Sequence, residues 1–274
     1  MKTSSEYRAI AWKELRKSFT DSVIIVLITM FIAAAIFAII YGGYMFCTQT
    51  DHGAVLGVLC LVASFLLDGV LLYALYIWFL SVARHEPIYK ISADGRGRVL
   101  LCGMAIFVPS LIQGPIQVVA QKNPMMALLS LVVIFFVLWY YYASSMITYL
   151  VHDHREASVW QSLKQSIRMM KGHKKQLIAV DIKIMVWPVL IFFLLMLGSA
   201  LTVVSITGMK GLGEAASKTY IIGIGVLSVV FMIAFFFIVF PMMYLAHAHF
   251  YMDLLAEQSL KDVTLETQET EKVA

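Results

Sequence analysis

The sequence predicts an all-α polytopic membrane protein, a bundle of six transmembrane helices with amphipathic helices added on the cytoplasmic side. Three observations predict it. Of the 274 residues, 61% are hydrophobic and only 14% charged, whereas a soluble domain is about half apolar and a quarter charged. Mean hydropathy is +0.83. The apolar residues also fall in six long runs, each exceeding the ~20 residues that cross ~30 Å of hydrocarbon.

The runs lie at about 23–46, 54–83, 99–120, 125–151, 177–204 and 220–248. Backbone groups in lipid must be satisfied within the segment, so these runs predict helices rather than strands. The third is the most polar, carrying Pro109, Gln113, Gly114, Pro115 and Gln117. The first 21 residues are too polar, and the run after them too long, for a cleavable signal peptide. That first run is therefore expected to stay in the membrane.

Lys and Arg counts orient the chain. The N-terminal segment, the loops after the second and fourth runs and the C-terminal tail carry seventeen Lys and Arg, against three (Lys122, Lys210, Lys218) in the opposite loops. The positive-inside rule places the seventeen, and with them both termini, in the cytoplasm of a plasma-membrane protein. An odd number of spans would mix the two sets.

Residues 1–21 read as an interfacial amphipathic helix, with Ser4 or Ser5 as N-cap. Tyr7, Ile10, Ala11, Leu15 and Phe19 form an apolar stripe edged by Trp12. Residues 22–256 form the six-helix domain. Within it, residues of about 156–171 predict a second amphipathic helix, with Trp160, Leu163, Ile167 and Met170 on one side and Lys164, Arg168 and Lys171 on the other. Gly172 is its expected stop. With Lys174 and Lys175 these cations make a basic surface suited to anionic inner-leaflet lipids. Residues 257–274 are net acidic, and the last dozen are expected to be disordered.

The stretch YYYASSMITYLVHDHREASVWQSLKQSIRMMKGHKKQLIAVDIKIMVWPVL, the opening YRAIAWKELRKSF and the closing FPMMYLAHAHFYMDL together resemble the bacterial six-helix membrane family named domain of unknown function nine-seventy-five. The resemblance is weaker over residues 1–100 than over 140–255. The third run also departs from the family pattern, with Pro109 and Gly114-Pro115 in place of a Pro-Gly pair. The resemblance implies a bacterial plasma-membrane protein and brings no established activity.

Candidate chemistry is sparse. Asp68 sits midway along the second run, where an ionised carboxylate costs ~2.5–3.5 kcal/mol at the least, so it reads either as an ion or proton site or as a structural carboxyl. Gln113 and Gln117, four apart on the third run, could line the same polar site or join helices. Asp181 and Lys183 read as anchors at the membrane edge, with Asp181 expected to meet a basic residue of the preceding loop. His152, Asp153, His154, His247, His249 and Asp253 are expected at the cytoplasmic interface. His247 and His249 are two apart and do not share a helix face, and no metal-binding motif is present. Cys47, Cys60 and Cys102 lack ligand or disulfide spacing.

No phosphate loop, nucleophile elbow or HExxH motif occurs, so neither an enzyme nor a cofactor is expected, and the mild net charge of +4 speaks against nucleic acid. Expected partners are the bilayer, its anionic lipids and another membrane protein or a second copy. The leading functional expectation is an accessory or interaction protein of a membrane export or envelope system. The alternative is a small transporter of a lipid, peptide or ion that uses Asp68. A lipid-headgroup enzyme at the interfacial His and Asp residues is the third and weakest reading.

Overall fold

The computed structural model describes residues 1–47, 53–86, 95, 97–106, 124–209 and 214–273, which are helical without a strand. In chain order the helices are α1 (Ser4–Lys17), α2 (Phe19–Cys47), α3 (Gly53–Arg84), α4 (Gly97–Ile106), α5 (Pro124–Ser144), α6 (Ile147–Asp153), α7 (Val159–Met169), α8 (Lys174–Met209), α9 (Glu214–Ala234) and α10 (Phe240–Val273). Among the described residues five helical stretches are long and apolar enough to cross a membrane: Phe19–Gly42, Leu66–Arg84, Ser130–Asp153, Lys174–Gly198 and Gly225–Leu260. Of the expected third span, α4 is described to Ile106; residues 107–120, with Gln113 and Gln117, lie outside the described residues.

α1 begins at a capping box. Thr3, rather than Ser4 or Ser5, is the N-cap, its backbone N–H donating to Glu6 at 2.6 Å while Thr3 Oγ1 accepts from the Glu6 amide. That backbone hydrogen bond holds the Glu6 carboxyl below its ordinary value. The stripe of α1 faces protein. Tyr7, Ala11 and Leu15 are fully buried against α10 and α8, while Phe19 is exposed. The anchors are polar: Lys2 Nζ lies 2.7 Å from Asp253 Oδ1, the Tyr7 hydroxyl donates to Asp253 Oδ2 at 2.7 Å, and Gln176 donates to the Lys2 carbonyl.

The expected fourth span is broken. α5 ends at Ser144 and α6 restarts at Ile147. Ser144 and Ser145 turn their hydroxyls back onto carbonyls of the preceding turn, a known source of helix kinks. Ser166 of α7 fills the break, donating to the Ala143 carbonyl at 2.9 Å and accepting from the Met146 amide at 3.3 Å.

The last span is one run of helix containing a wide turn, Phe235–Val239, in which the Phe240 amide reaches back to the Phe235 carbonyl. Pro241 follows it and cannot donate to the turn before, so the backbone there widens. α10 then continues as helix to Val273, against the expected disorder. The tail is rich in the helix formers Glu, Gln, Leu and Lys and extends a helix already nucleated.

α3 and α4 meet through glycine. A Cβ on Gly69 would stand 2.5 Å from the Gly103 Cα, so only two glycines permit this approach. The Tyr140 hydroxyl donates to the Ala105 carbonyl at 2.7 Å and ties α5 to α4.

Burial is uneven along the bundle. It concentrates where the short helices α1, α6 and α7 join the long ones: Tyr73–Leu80 of α3, Met146–His152 around α6, Leu177–Ile184 of α8 and Val239–Leu254 of the last span hold most of the core. Tyrosines knit this end together. Tyr76 meets the Tyr149 and Tyr244 rings edge-on at 5.5 and 4.7 Å, and Tyr149 stacks on Tyr251 at 4.9 Å. The remainder of α2, α5 and α8 presents large apolar side chains outward, with Phe31 79%, Phe135 70% and Phe193 70% exposed.

Candidate functional site

Two places in this packed end carry chemistry. The first is a cleft of about 490 Å³ between α7 and α10. α7 is fixed for it by a capping box at Ser158 and Gln161 and by burial of Ser162, Leu163 and Ser166. Leu163, Ile167 and Met170 of its apolar side are thus spent on protein contacts, whereas Trp160, expected beside them, is exposed, and the basic side faces out. Lys164, Arg168 and Lys171, at i, i+4 and i+7, line the cleft with His173, and α10 supplies Leu254, Glu257 and Gln258. None of these three cations pairs with a carboxylate among the described residues. Lys164 Nζ lies 5.6 Å from the centre of the exposed Trp160 ring. His173 lies 3.7 Å from Glu257. The Gln258 Oε1 is buried without a hydrogen-bond partner among the described residues.

The sequence-predicted basic surface divides here. Lys164, Arg168 and Lys171 share the cleft. Lys174 turns away, with Nζ 3.8 Å from the Trp139 ring centre, and Lys175 is exposed outside it.

The second place is a buried acid–base pair. His247 Nε2 and Asp181 Oδ1 are 2.7 Å apart, with side chains 2% and 4% exposed. Asp181 meets this histidine of α10 rather than a basic residue of the loop before α8, because its position on α8 faces inward: Val180 and Ile184 beside it are buried too. The neighbouring Lys183 points outward. Asp181 Oδ2 and His247 Nδ1 have no hydrogen-bond partner among the described residues. Tyr141 and Tyr142 lie within electrostatic reach of the carboxylate. Each partner helix is irregular nearby, α8 at Pro188 and the last span at its wide turn. A close acid–base pair in apolar surroundings can hold or pass a proton, or lock two helices together.

No family model, curated protein or solved structure matches this chain. What the site can do therefore has to be read from its geometry.

Around the two places run further polar contacts. Arg84 grips Asp153 with two hydrogen bonds, 2.9 and 2.7 Å, and Tyr251 donates to the same carboxylate at 2.7 Å. Arg98 donates to the carbonyls of Val151, His154, Arg155 and Ala157, satisfying the open C-terminal end of α6. These groups act as fasteners. Among the described residues no three His, Cys, Asp or Glu side chains converge as a metal site. His249 Nε2 is buried apart from His247, without a partner there.

Asp68 is half-buried on α3, one residue before the Gly69–Gly103 contact. No hydrogen bond or ion pair joins it to another described residue. Gln113 and Gln117 lie outside the described residues, so the proposed grouping with Asp68 has no described geometry. The sequence reading missed the Asp181–His247 pair. The available signal was an acidic residue inside one apolar run and a histidine inside another, with nothing in spacing to link positions 66 residues apart.

Proposed function

We propose that this chain is a multi-pass protein of a bacterial plasma membrane, with both termini in the cytoplasm, that serves as an accessory or interaction protein of a membrane export or envelope system. Membership of the six-helix family it resembles is part of the same proposal. The observation that carries it is the cleft between α7 and α10. Lys164 and Arg168 on α7 and Lys171 just after it stand there without a carboxylate partner among the described residues, and the other side of α7 is packed into the core. A mobile surface helix would spread such charge over the leaflet. A fixed one presents it in a set arrangement, which suits recognition of an anionic group.

The test is crosslinking in native membranes followed by identification of copurifying proteins. A partner captured by the wild type and lost on combined Lys164→Glu, Arg168→Glu and Lys171→Glu supports the accessory role. Unchanged capture by that variant removes it.

A second reading, a small transporter, is favoured by one observation, the buried Asp181–His247 pair. Intramembrane ionisable groups of this kind commonly mark proton or substrate paths. It moves the key carboxylate from Asp68 to Asp181. It predicts that purified protein in proteoliposomes passes protons or a cation and that Asp181→Asn stops the flux more completely than Asp68→Asn.

A further inference from the structure

We propose that α1 is a lid across the mouth of the α8–α10 seam, and that its opening admits water to the buried Asp181–His247 pair. This adds the regulation of that pair to the transporter reading above, on which it rests. α1 packs against both α8 and α10 and is tied to each. Gln176 of α8 donates to the Lys2 carbonyl at 2.6 Å, and Asp253 of α10 accepts from Lys2 and from the Tyr7 hydroxyl, both at 2.7 Å. Gln176 and Asp253 mark the mouth. Asp181 lies five residues after Gln176, and His247 six residues before Asp253. At about 1.5 Å per residue the pair therefore sits about 8 Å inside. Over that distance α1 closes the way: Tyr7 rests on Phe250 with ring centres 5.3 Å apart, and Ala11 and Leu15 share one apolar cluster with Leu177 and Val180 of α8.

The fastenings suit a part that opens. The Lys2–Asp253 bridge is partly exposed, 42% and 21%, and such a pair holds weakly and is screened by salt. Towards the other end of α1, buried Glu14 meets Lys17 at 3.3 Å and lies 3.9 Å from His85, just past α3. Ser18 (φ −107°, ψ 24°) is the single residue between α1 and α2. It leaves a joint at which α1 can swing while both helices stay whole.

Two further features favour an open state. Asp181 Oδ2, His247 Nδ1 and His249 Nε2 are buried without a partner among the described residues, and His249 lies within electrostatic reach of Glu14 on α1. Keeping such atoms from water costs free energy, and opening relieves it. The stripe of Tyr7, Ala11 and Leu15 also has a second resting place. Trp12, Lys13 and Arg16 are exposed on the other side of α1, and a helix so divided lies stably in a headgroup layer. Docking on the seam and lying on the leaflet use the same apolar residues, so α1 exchanges one cover for another.

The experiment uses the full chain in proteoliposomes, with diethyl pyrocarbonate as the probe of histidine access and peptide mass spectrometry to read His247. The wild type is compared with Asp253→Asn/Tyr7→Phe, which unfastens the lid, and with the control Lys13→Gln on the outer side of α1. A locked form is made by treating the wild type with a carbodiimide, which joins the Lys2 amine to the Asp253 carboxyl as an amide. Lys2→Arg, treated alike, keeps the ion pair and cannot form the link. The expected result is His247 modification about tenfold faster in the unfastened variant, the change that loss of a partly exposed ion pair and a hydrogen bond allows. Lys13→Gln should match the wild type, and the locked protein should react more slowly than treated Lys2→Arg. Equal rates in the locked and treated Lys2→Arg proteins overturn the lid, and that comparison does not depend on the unfastened variant folding. Proton and cation flux are read in the same vesicles. Asp181-dependent flux with His247 access indifferent to the lid leaves the transporter reading standing while this inference falls. Access that follows the lid, without flux in any form, removes the transporter reading and the gating role with it.

Discussion

Asp181 and His247 are the residues on which the packed end depends most directly. Each is nearly sealed from solvent, and each is the other's closest polar contact. Removing one partner leaves the other buried and uncompensated, at a cost of about 3–5 kcal/mol. His247→Ala should therefore lower the melting temperature of the detergent-solubilised protein far more than the paired change Asp181→Leu/His247→Leu, which removes both polar groups together. Equal loss in the two would mean that packing, not charge, holds the contact. Tyr7 gives a pH-dependent counterpart. Burial, then its hydrogen bond to Asp253, pushes the Tyr7 phenol up. The stabilisation is whole below the ordinary tyrosine value of about 10 and is lost as the pH rises above it. The docking of α1, followed through the fluorescence of nearby Trp12, should loosen in alkali, and Tyr7→Phe should flatten that part of the profile.

At the scale of helices, the break between α5 and α6 and the glycine contact between α3 and α4 set the geometry of this end. Ser166 satisfies both sides of the break from α7. Ser166→Ala leaves a buried amide and carbonyl short of partners, which costs about 1–3 kcal/mol. Because the same serine seats α7, limited proteolysis of the variant should cut first around the 154–158 turn. Gly103→Val inserts side-chain atoms where the α3 backbone already lies. It should destabilise by about 1–3 kcal/mol, read as a lower melting temperature, and push α4 from α3. Much of this level was legible in the sequence. The apolar runs, α7 and its stop near Gly172, which turns at positive φ, follow from length, periodicity and capping. The α5–α6 break did not, because two serines in a long apolar run also fit an unbroken helix, and what separates the cases is a hydroxyl from another helix. The helical tail to Val273 was missed for the opposite reason: composition favours solvation, while continuity with α10 removes the cost of nucleation.

For the whole molecule, burial gathers at the end where α1, α6 and α7 add cover, while much of the long helices turns apolar side chains outward. Those outward faces are what lipid tails or helices of another membrane protein would meet. Hydrophobic exclusion from water does not drive helix packing inside lipid, so close contacts and interhelical hydrogen bonds must hold the bundle. The described ones concentrate at that end, in the tyrosine cluster, the Arg84–Asp153–Tyr251 contact and the Lys2–Asp253–Tyr7 contact. The candidate site was legible only in part at this scale. The cations of α7 stood out in the sequence, but their division from Lys174 depends on Trp139, and the α10 wall opposite them depends on how the last helix returns past α7.

The claim that the basic cleft is the working surface is tested most directly by crosslinking in native membranes, comparing wild type with the Lys164→Glu/Arg168→Glu/Lys171→Glu variant by quantitative mass spectrometry of captured proteins. A stoichiometric partner is expected on the wild type and lost from a variant that is still folded and membrane-inserted. Capture of the same partner at the same level by the variant would contradict it.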